Sequence, residues 1–322
     1  MTRDNLSHRN DTDAPCILLC PGQGAQFVGM GRELAEQCAI AADVFRRADE
    51  VLGIDIRSAC FDGPQETLNR TDVAQAAIYT CSVASYQSAA SRGELSDPAA
   101  TAGLSLGEFT ALHLAGTFDF ESGLRLVHLR GRAMQEAAER TPSGMVALVG
   151  ADESQANELC ERARGDGVLV PANFNAPGQV VVSGSNEACE RAMSVAEELG
   201  LRATALRVAG AFHSPIMQPA ADRLAEAMEQ MDWQPPQIPV VSNVTGRPHD
   251  GDDLASIRRR LVEQLTSPVR WAESMQWLLD HPPRRCERFV ELEPGKVLAG
   301  LMKRVNRRVR VVAASSLPIQ TS

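Results

Sequence analysis

Ser105 sits in Gly103-Leu104-Ser105-Leu106-Gly107, with a glycine two positions away on either side. The spacing has a steric meaning. A serine on a tight strand-to-helix turn needs neighbours without side chains, so that its Oγ projects from the edge of a sheet. The helix that follows aims unpaired N–H groups at the same point, where an oxyanion would develop. The chemistry implied is nucleophilic acyl transfer, and a serine hydroxyl is a poor nucleophile until a base takes its proton.

Of the six histidines, five offer little to that serine. His8 lies in the polar N-terminal stretch. His113 falls too far along the helix expected after Ser105 to turn back, and His128, His249 and His281 stand among polar or turn residues that read as surface. His213 is placed differently, in Gly210-Ala211-Phe212-His213-Ser214-Pro215, a loop at an expected junction of subdomains, where clefts form. It reads either as the general base or as an ordinary hydrogen-bonded loop histidine. Arg130 interrupts an apolar helical stripe containing Leu124, Val127 and Met134. An inward guanidinium needs a negative partner, which is either an internal carboxylate or a substrate carboxylate gripped by two parallel hydrogen bonds.

An α/β framework has to carry these residues. Cys16–Cys20 is a short apolar run ending at Pro21-Gly22-Gln23-Gly24, a buried strand entering a glycine-rich turn, with a helix from about Gly31. Residues 98–104 run in the same way into Ser105 and a helix. Strand, sharp turn, helix is the order of a sheet that binds ligands at the carboxyl ends of its strands. The uncharged run 73–91, broken by Gln and Ser, predicts a buried helix and no membrane span. Another helix covers about 121–140.

From 145 to 208 the rhythm changes. A strand over 145–149 and a helix over 152–164 precede strands over 168–170 and 179–183, separated by a turn over 175–178. A helix over 186–199 and a strand over 203–208 complete the β-α-β-β-α-β order of a ferredoxin-like unit. Strands over 238–243, 289–291 and 309–313 follow, with helices over 254–265 and up to about Lys303. The expected fold is α/β: an α/β-hydrolase-like large subdomain with a parallel-sheet core over 15–140 and 207–322, and an inserted ferredoxin-like small subdomain over 141–206. Residues 1–14 read as a loose polar tail and not as a signal peptide.

Composition narrows the function classes. The 322 residues carry 32 basic and 41 acidic side chains, a formal charge of −9, and 44% are hydrophobic. That is globular composition, and it argues against binding nucleic acid through its backbone charge. Eight cysteines without a C-x-x-C pair read as buried thiols of a reducing, cytoplasmic compartment, with no metal site.

Taken together, the motifs resemble malonyl-CoA:acyl-carrier-protein transacylases and the related acyltransferase domains of fatty-acid and polyketide synthases. The resemblance runs over nearly the whole chain after residue 15. It rests on Pro21-Gly22-Gln23-Gly24-Ala25-Gln26, on Gln75, on Ser105-Leu106-Gly107-Glu108-Phe109 and on Arg130-Gly131. Further on it rests on Asn173-Phe174-Asn175-Ala176-Pro177-Gly178-Gln179, Ala211-Phe212-His213-Ser214-Pro215, Gln264-Leu265-Thr266-Ser267-Pro268-Val269-Arg270-Trp271 and Glu293-Pro294-Gly295.

The resemblance implies that Ser105 is the acylated nucleophile and His213 its base, oriented by the backbone carbonyl of Gln264. It implies an oxyanion hole from the amides of Gln23 and Leu106, with Arg130 pairing with the malonyl carboxylate. Gln75, Phe212 and Asn173 are the other substrate-binding positions, Phe212 being the one associated with malonyl over methylmalonyl. It further implies malonyl-CoA and acyl carrier protein as partners, no cofactor, and a monomer. One position departs: Leu104 stands where the family usually has histidine, which leaves the underside of the turn apolar. Rival readings are the same chemistry on a polyketide carrier, a serine esterase with no use for Arg130, and a catalytically silent carrier-binding module. Arg258-Arg259-Arg260, Arg284-Arg285 and Lys303-Arg304 read as either carrier-docking positions or solvated helix faces.

Overall fold

The computed structural model describes residues 15–95, 98–249, 251 and 253–317, so the expected tail over 1–14 lies outside the described residues. Nine strands are defined there: β1 (Cys16–Cys20), β2 (Pro98–Gly103), β3 (Ser143–Val149), β4 (Leu169–Ala176), β5 (Gln179–Ser185), β6 (Arg202–Ala205), β7 (Val240–Val241), β8 (Phe289–Glu291) and β9 (Val311–Ala313). They form two sheets. The larger has the order β7-β2-β1-β8-β9 with every pairing parallel, and the smaller has the order β4-β5-β3-β6 with every pairing antiparallel.

Strand β1 shows why the larger sheet is apolar at every position. Cys16, Leu18 and Cys20 enter one core, while Ile17 and Leu19 enter a second on the opposite face. A parallel strand covered on both faces has no solvent side to keep polar. The first core is built with the helices Thr71–Ser91 and Phe120–Arg140, the second with Trp271–Asp280 and Val297–Val305.

In the smaller sheet the helices Glu153–Ala163 and Asn186–Glu198 cover one face, against Val146, Leu148, Val180 and Val182. Asp152 opens the first of these helices: its Oδ1 accepts the Gln155 N–H at 2.8 Å, while Gln155 Oε1 accepts the Asp152 N–H at 3.1 Å. That closes two of the N–H groups a helix start leaves unpaired. The other face presents Met145, Ala172 and Val181 to the large core.

Two differences from the sequence expectation matter for the site. β4 continues to Ala176, so the turn shrinks to Pro177-Gly178, with Gly178 at φ +72°. The polar-looking stretch is held extended from both sides. It pairs with β5, and the Phe174 N–H donates to the Val269 carbonyl at 2.9 Å while the Val269 N–H donates to Ala172 at 2.8 Å. β6 stops at Ala205, three residues short of the expected end; the Leu206 N–H still donates to the Met145 carbonyl at 2.9 Å, after which Arg207, Val208 and Ala209 leave the sheet, and all four residues line a cleft. Apolar residues there face a cavity instead of a ladder. β7 is likewise reduced to two residues.

Candidate active site

The site lies where the parallel strands end. Ser105 follows β2 at φ +52°, ψ −104°, and begins the turn into the helix Leu106–Leu114. The turn is too tight for side chains around it. A Cβ on Gly103 would fall 1.9 Å from the Gly107 carbonyl, and one on Gly107 would fall 2.1 Å from the Cys20 oxygen. Asn243, two residues past β7, clasps the turn from the side: its Oδ1 accepts the Ser105 N–H at 2.6 Å and its Nδ2 donates to the Gly103 carbonyl at 2.7 Å.

His213 arrives from the loop that follows the small sheet, also in the left-handed region at φ +58°. Its Nε2 is 2.9 Å from Ser105 Oγ and its Nδ1 is 2.7 Å from the Gln264 carbonyl. A carbonyl oxygen can only accept, so the proton resides on Nδ1 and the Nε2 lone pair faces the serine. Burial pushes the imidazole down to about 4, and the Arg130 charge pushes in the same direction, against the Gln264 hydrogen bond. At neutral pH the ring is therefore an uncharged acceptor.

Arg130 is 1% exposed. Its Nη1 donates to Gln75 Oε1 at 2.8 Å, and its Nη2 donates to Gln264 Oε1 at 2.8 Å and to Ser105 Oγ at 3.0 Å. The Phe109 ring lies 5.2 Å from the guanidinium carbon, and Nε has no partner. All three acceptors are neutral, and among the described residues no carboxylate pairs with this cation. The internal salt bridge weighed from the sequence is not what the fold provides. Burial lowers the guanidinium to about 9, with the Glu108 charge opposing, so it still carries its proton at pH 7.

Ser105, Arg130 and His213 line one cavity of about 450 Å³, with Gln23, Asn173 and Phe212 also on its wall. Leu104 joins them on the wall and also packs against the second core. Leu106 is the first residue of its helix, so its N–H has no acceptor within that helix. Gln75 is fully buried behind Arg130, holding the guanidinium and donating to Met134 Sδ at 3.3 Å.

Three residues escaped the sequence reading: Asn243, Glu108 and His249. His249, expected at the surface, is 3% exposed, with its Nε2 3.0 Å from Glu108 Oε1. Its backbone explains the burial, since the His249 N–H donates to the Val240 carbonyl at 2.9 Å and draws the segment against β7. A signal did exist. Glu108 is the one acidic residue in a helix, Leu106–Leu114, whose other residues are apolar except Thr110 and His113, and a buried carboxylate requires donors.

The acyl transferase domain family matches residues 17–316. The chain belongs to this family. A malonyl CoA-acyl carrier protein transacylase of Bacillus subtilis is 41% identical over 310 residues, covering 94% of this chain and 96% of that protein. The solved malonyl CoA-acyl carrier protein transacylase of Coxiella burnetii superposes with a TM-score of 0.89 at 36% identity, covering 94% of this chain and 95% of that one. A malonyl-transacylase solved in complex with its type II polyketide acyl-carrier protein gives 0.87 at 37% identity, covering 93% and 95%. The acyltransferase fold of two subdomains, one around a parallel sheet and one around an antiparallel sheet, is thus shared along almost the full chain.

Proposed function

We propose that the chain transfers a malonyl group from malonyl-CoA to the phosphopantetheine thiol of an acyl carrier protein, through a malonyl-Ser105 ester, in fatty-acid biosynthesis. The supporting observation is a buried guanidinium, within hydrogen-bond reach of the nucleophile, whose partners are all neutral. A cation kept in a cavity without a counter-charge favours an acyl group that brings its own carboxylate.

In the first half-reaction His213 Nε2 takes the Ser105 proton as Oγ bonds to the thioester carbon. The carbonyl oxygen becomes an oxyanion facing the Gln23 and Leu106 amides. The C–S bond breaks, and CoA leaves as a thiol with the proton from His213. In the second half the carrier thiol passes its proton to His213 and attacks the ester, and Ser105 leaves with that proton restored. One thioester replaces another, so the exchange runs in both directions, with ping-pong kinetics. Phe212 restricts space beside the malonyl α-carbon, and Asn173 presents a polar amide on the same wall. The transfer draws on no metal or redox group, and one chain supplies every residue named.

We assign the reaction to the cytoplasm, in keeping with eight cysteines that form no disulfide and with no described helix long and apolar enough to cross a membrane. The polyketide carrier is a second reading, favoured by the likeness to a malonyl-transacylase solved with such a carrier. Incubation with malonyl-CoA should leave a covalent malonyl adduct on Ser105, read by intact-protein mass spectrometry, and none on Ser105→Ala. An unmodified wild type, or an equal adduct on the variant, would refute the proposal. Hydrolysis outpacing transfer to holo carrier would favour an esterase.

A further inference from the structure

Behind the catalytic residues lies a carboxylate that the transfer mechanism does not use. Glu108 is fully buried on the first turn of the helix Leu106–Leu114. Its Oε2 accepts the Gln264 side-chain amide at 2.7 Å and the Asn243 backbone N–H at 3.0 Å, and its Oε1 meets His249 Nε2 at 3.0 Å. Two of those partners, Gln264 and Asn243, touch the catalytic residues in turn. Gln264 donates to the Ser105 carbonyl at 3.1 Å, accepts from Arg130 at 2.8 Å, and offers its own carbonyl to His213 at 2.7 Å. Asn243 holds the Ser105 turn by two bonds.

We propose that Glu108 is a positioning residue for this site: one carboxylate fixes Gln264 and Asn243 together, and so sets the distance between Ser105 and His213, while Gln75 holds Arg130 independently. This rests on the acyl-transfer reading of the site. The chain places Ser105, His213, Asn243 and Gln264 on segments separated by 21 to 159 residues along the sequence. A single buried acceptor that binds two of those segments, from the helix beginning just after the third, aligns them without touching substrate. The amides of Gln264 and Asn243 have no water to turn to at this depth, so losing the acceptor displaces them.

The role is one of geometry, and substitutions separate geometry from charge. Glu108→Gln keeps an oxygen where Gln264 and Asn243 donate and turns its NH2 toward His249. Glu108→Asp keeps the charge and withdraws it by one methylene. Glu108→Leu removes the acceptor at similar volume. We expect Glu108→Gln to retain kcat within about threefold, while Glu108→Asp and Glu108→Leu lose on the order of 10- to 100-fold, the scale of a misplaced catalytic group. KM for malonyl-CoA should stay within about twofold, and malonyl and acetyl transfer should fall together, because the loss lies at the serine and its base.

A folded Glu108→Leu protein with undiminished kcat would overturn the proposal. So would the opposite order, with Asp active and Gln impaired, which would mean that the charge balances Arg130 and positions nothing. If Glu108→Leu does not fold, the Asp and Gln pair still decides. Turnover of p-nitrophenyl acetate, which needs only the serine and its base, is measured on all four proteins. A wild type that hydrolyses this ester but forms no malonyl adduct defeats the malonyl reading while leaving the positioning role open to the same ranking.

Discussion

His213 is buried beside a positive charge and must still take a proton during each half-reaction. Its pKa, pushed from an ordinary 6.5 to about 4, has two consequences. The rate of Ser105 acylation should stay flat well below pH 6 and decline only near pH 4, where the free base becomes protonated; a pH profile of kcat/KM reads this directly. Stability should follow the same group. The unfolded chain takes up the proton near 6.5 and the folded chain resists until about 4, so this contribution is complete above 6.5 and is lost as pH falls toward 4. The loss amounts to about 3 kcal/mol. Denaturant melts of wild type and His213→Ala across that window would show it as a difference in slope.

Arg130→Ala should cost malonyl transfer about 1.5–3 kcal/mol more than acetyl transfer, the worth of charge-assisted hydrogen bonds to a carboxylate. Equal losses would assign Arg130 a structural role. Ser105, His213 and Arg130 were legible in the sequence because each breaks its local pattern: a serine between glycines, a histidine in a Gly-Pro loop, an arginine in an apolar stripe. Asn243 and His249 break nothing locally. Their importance comes from partners more than 130 residues away, which no spacing discloses.

Among elements, the turn after β2 is the most constrained. Gly107→Ala would drive a methyl to 2.1 Å from the Cys20 carbonyl oxygen, which belongs to β1 and cannot swing aside. We expect a loss of at least about 2 kcal/mol in a denaturant melt, the range of overpacked backbone contacts, together with most of the acylation rate. The strands and helices around this turn were readable because their apolar residues recur at the right period, or continuously where a strand is covered on both faces. Element ends were less readable. β6 ends where its apolar residues turn to line a cavity, and β4 persists because Val269 supplies a second hydrogen-bonding edge. Hydrophobicity alone does not distinguish burial in a sheet from burial at a cleft wall.

Across the whole molecule the charge is unevenly distributed. Residues 258–310 carry 13 basic and 6 acidic side chains within a chain of net −9. The helix Val297–Val305 connects that basic stretch to the cavity, lining it with Val297 and Leu301 and carrying Lys303 and Arg304 in its last turn. Reversing both charges, as Lys303→Glu with Arg304→Glu, should raise KM for the carrier by about fivefold, roughly 1 kcal/mol. The rate of Ser105 acylation by malonyl-CoA should not change, and a titration with salt should narrow the difference.

The acceptor behind His213 is a main-chain carbonyl, that of Gln264. Every amino acid possesses one. A scan that replaces side chains one at a time, however complete, would therefore pass over this member of the catalytic set. It can be shifted only by changing the path of the chain, for example by inserting a residue between Leu261 and Pro268. Substitutions at position 264 would report the loss of the side-chain bonds to Arg130, Glu108 and the Ser105 carbonyl, and never what happens when the main-chain acceptor is gone.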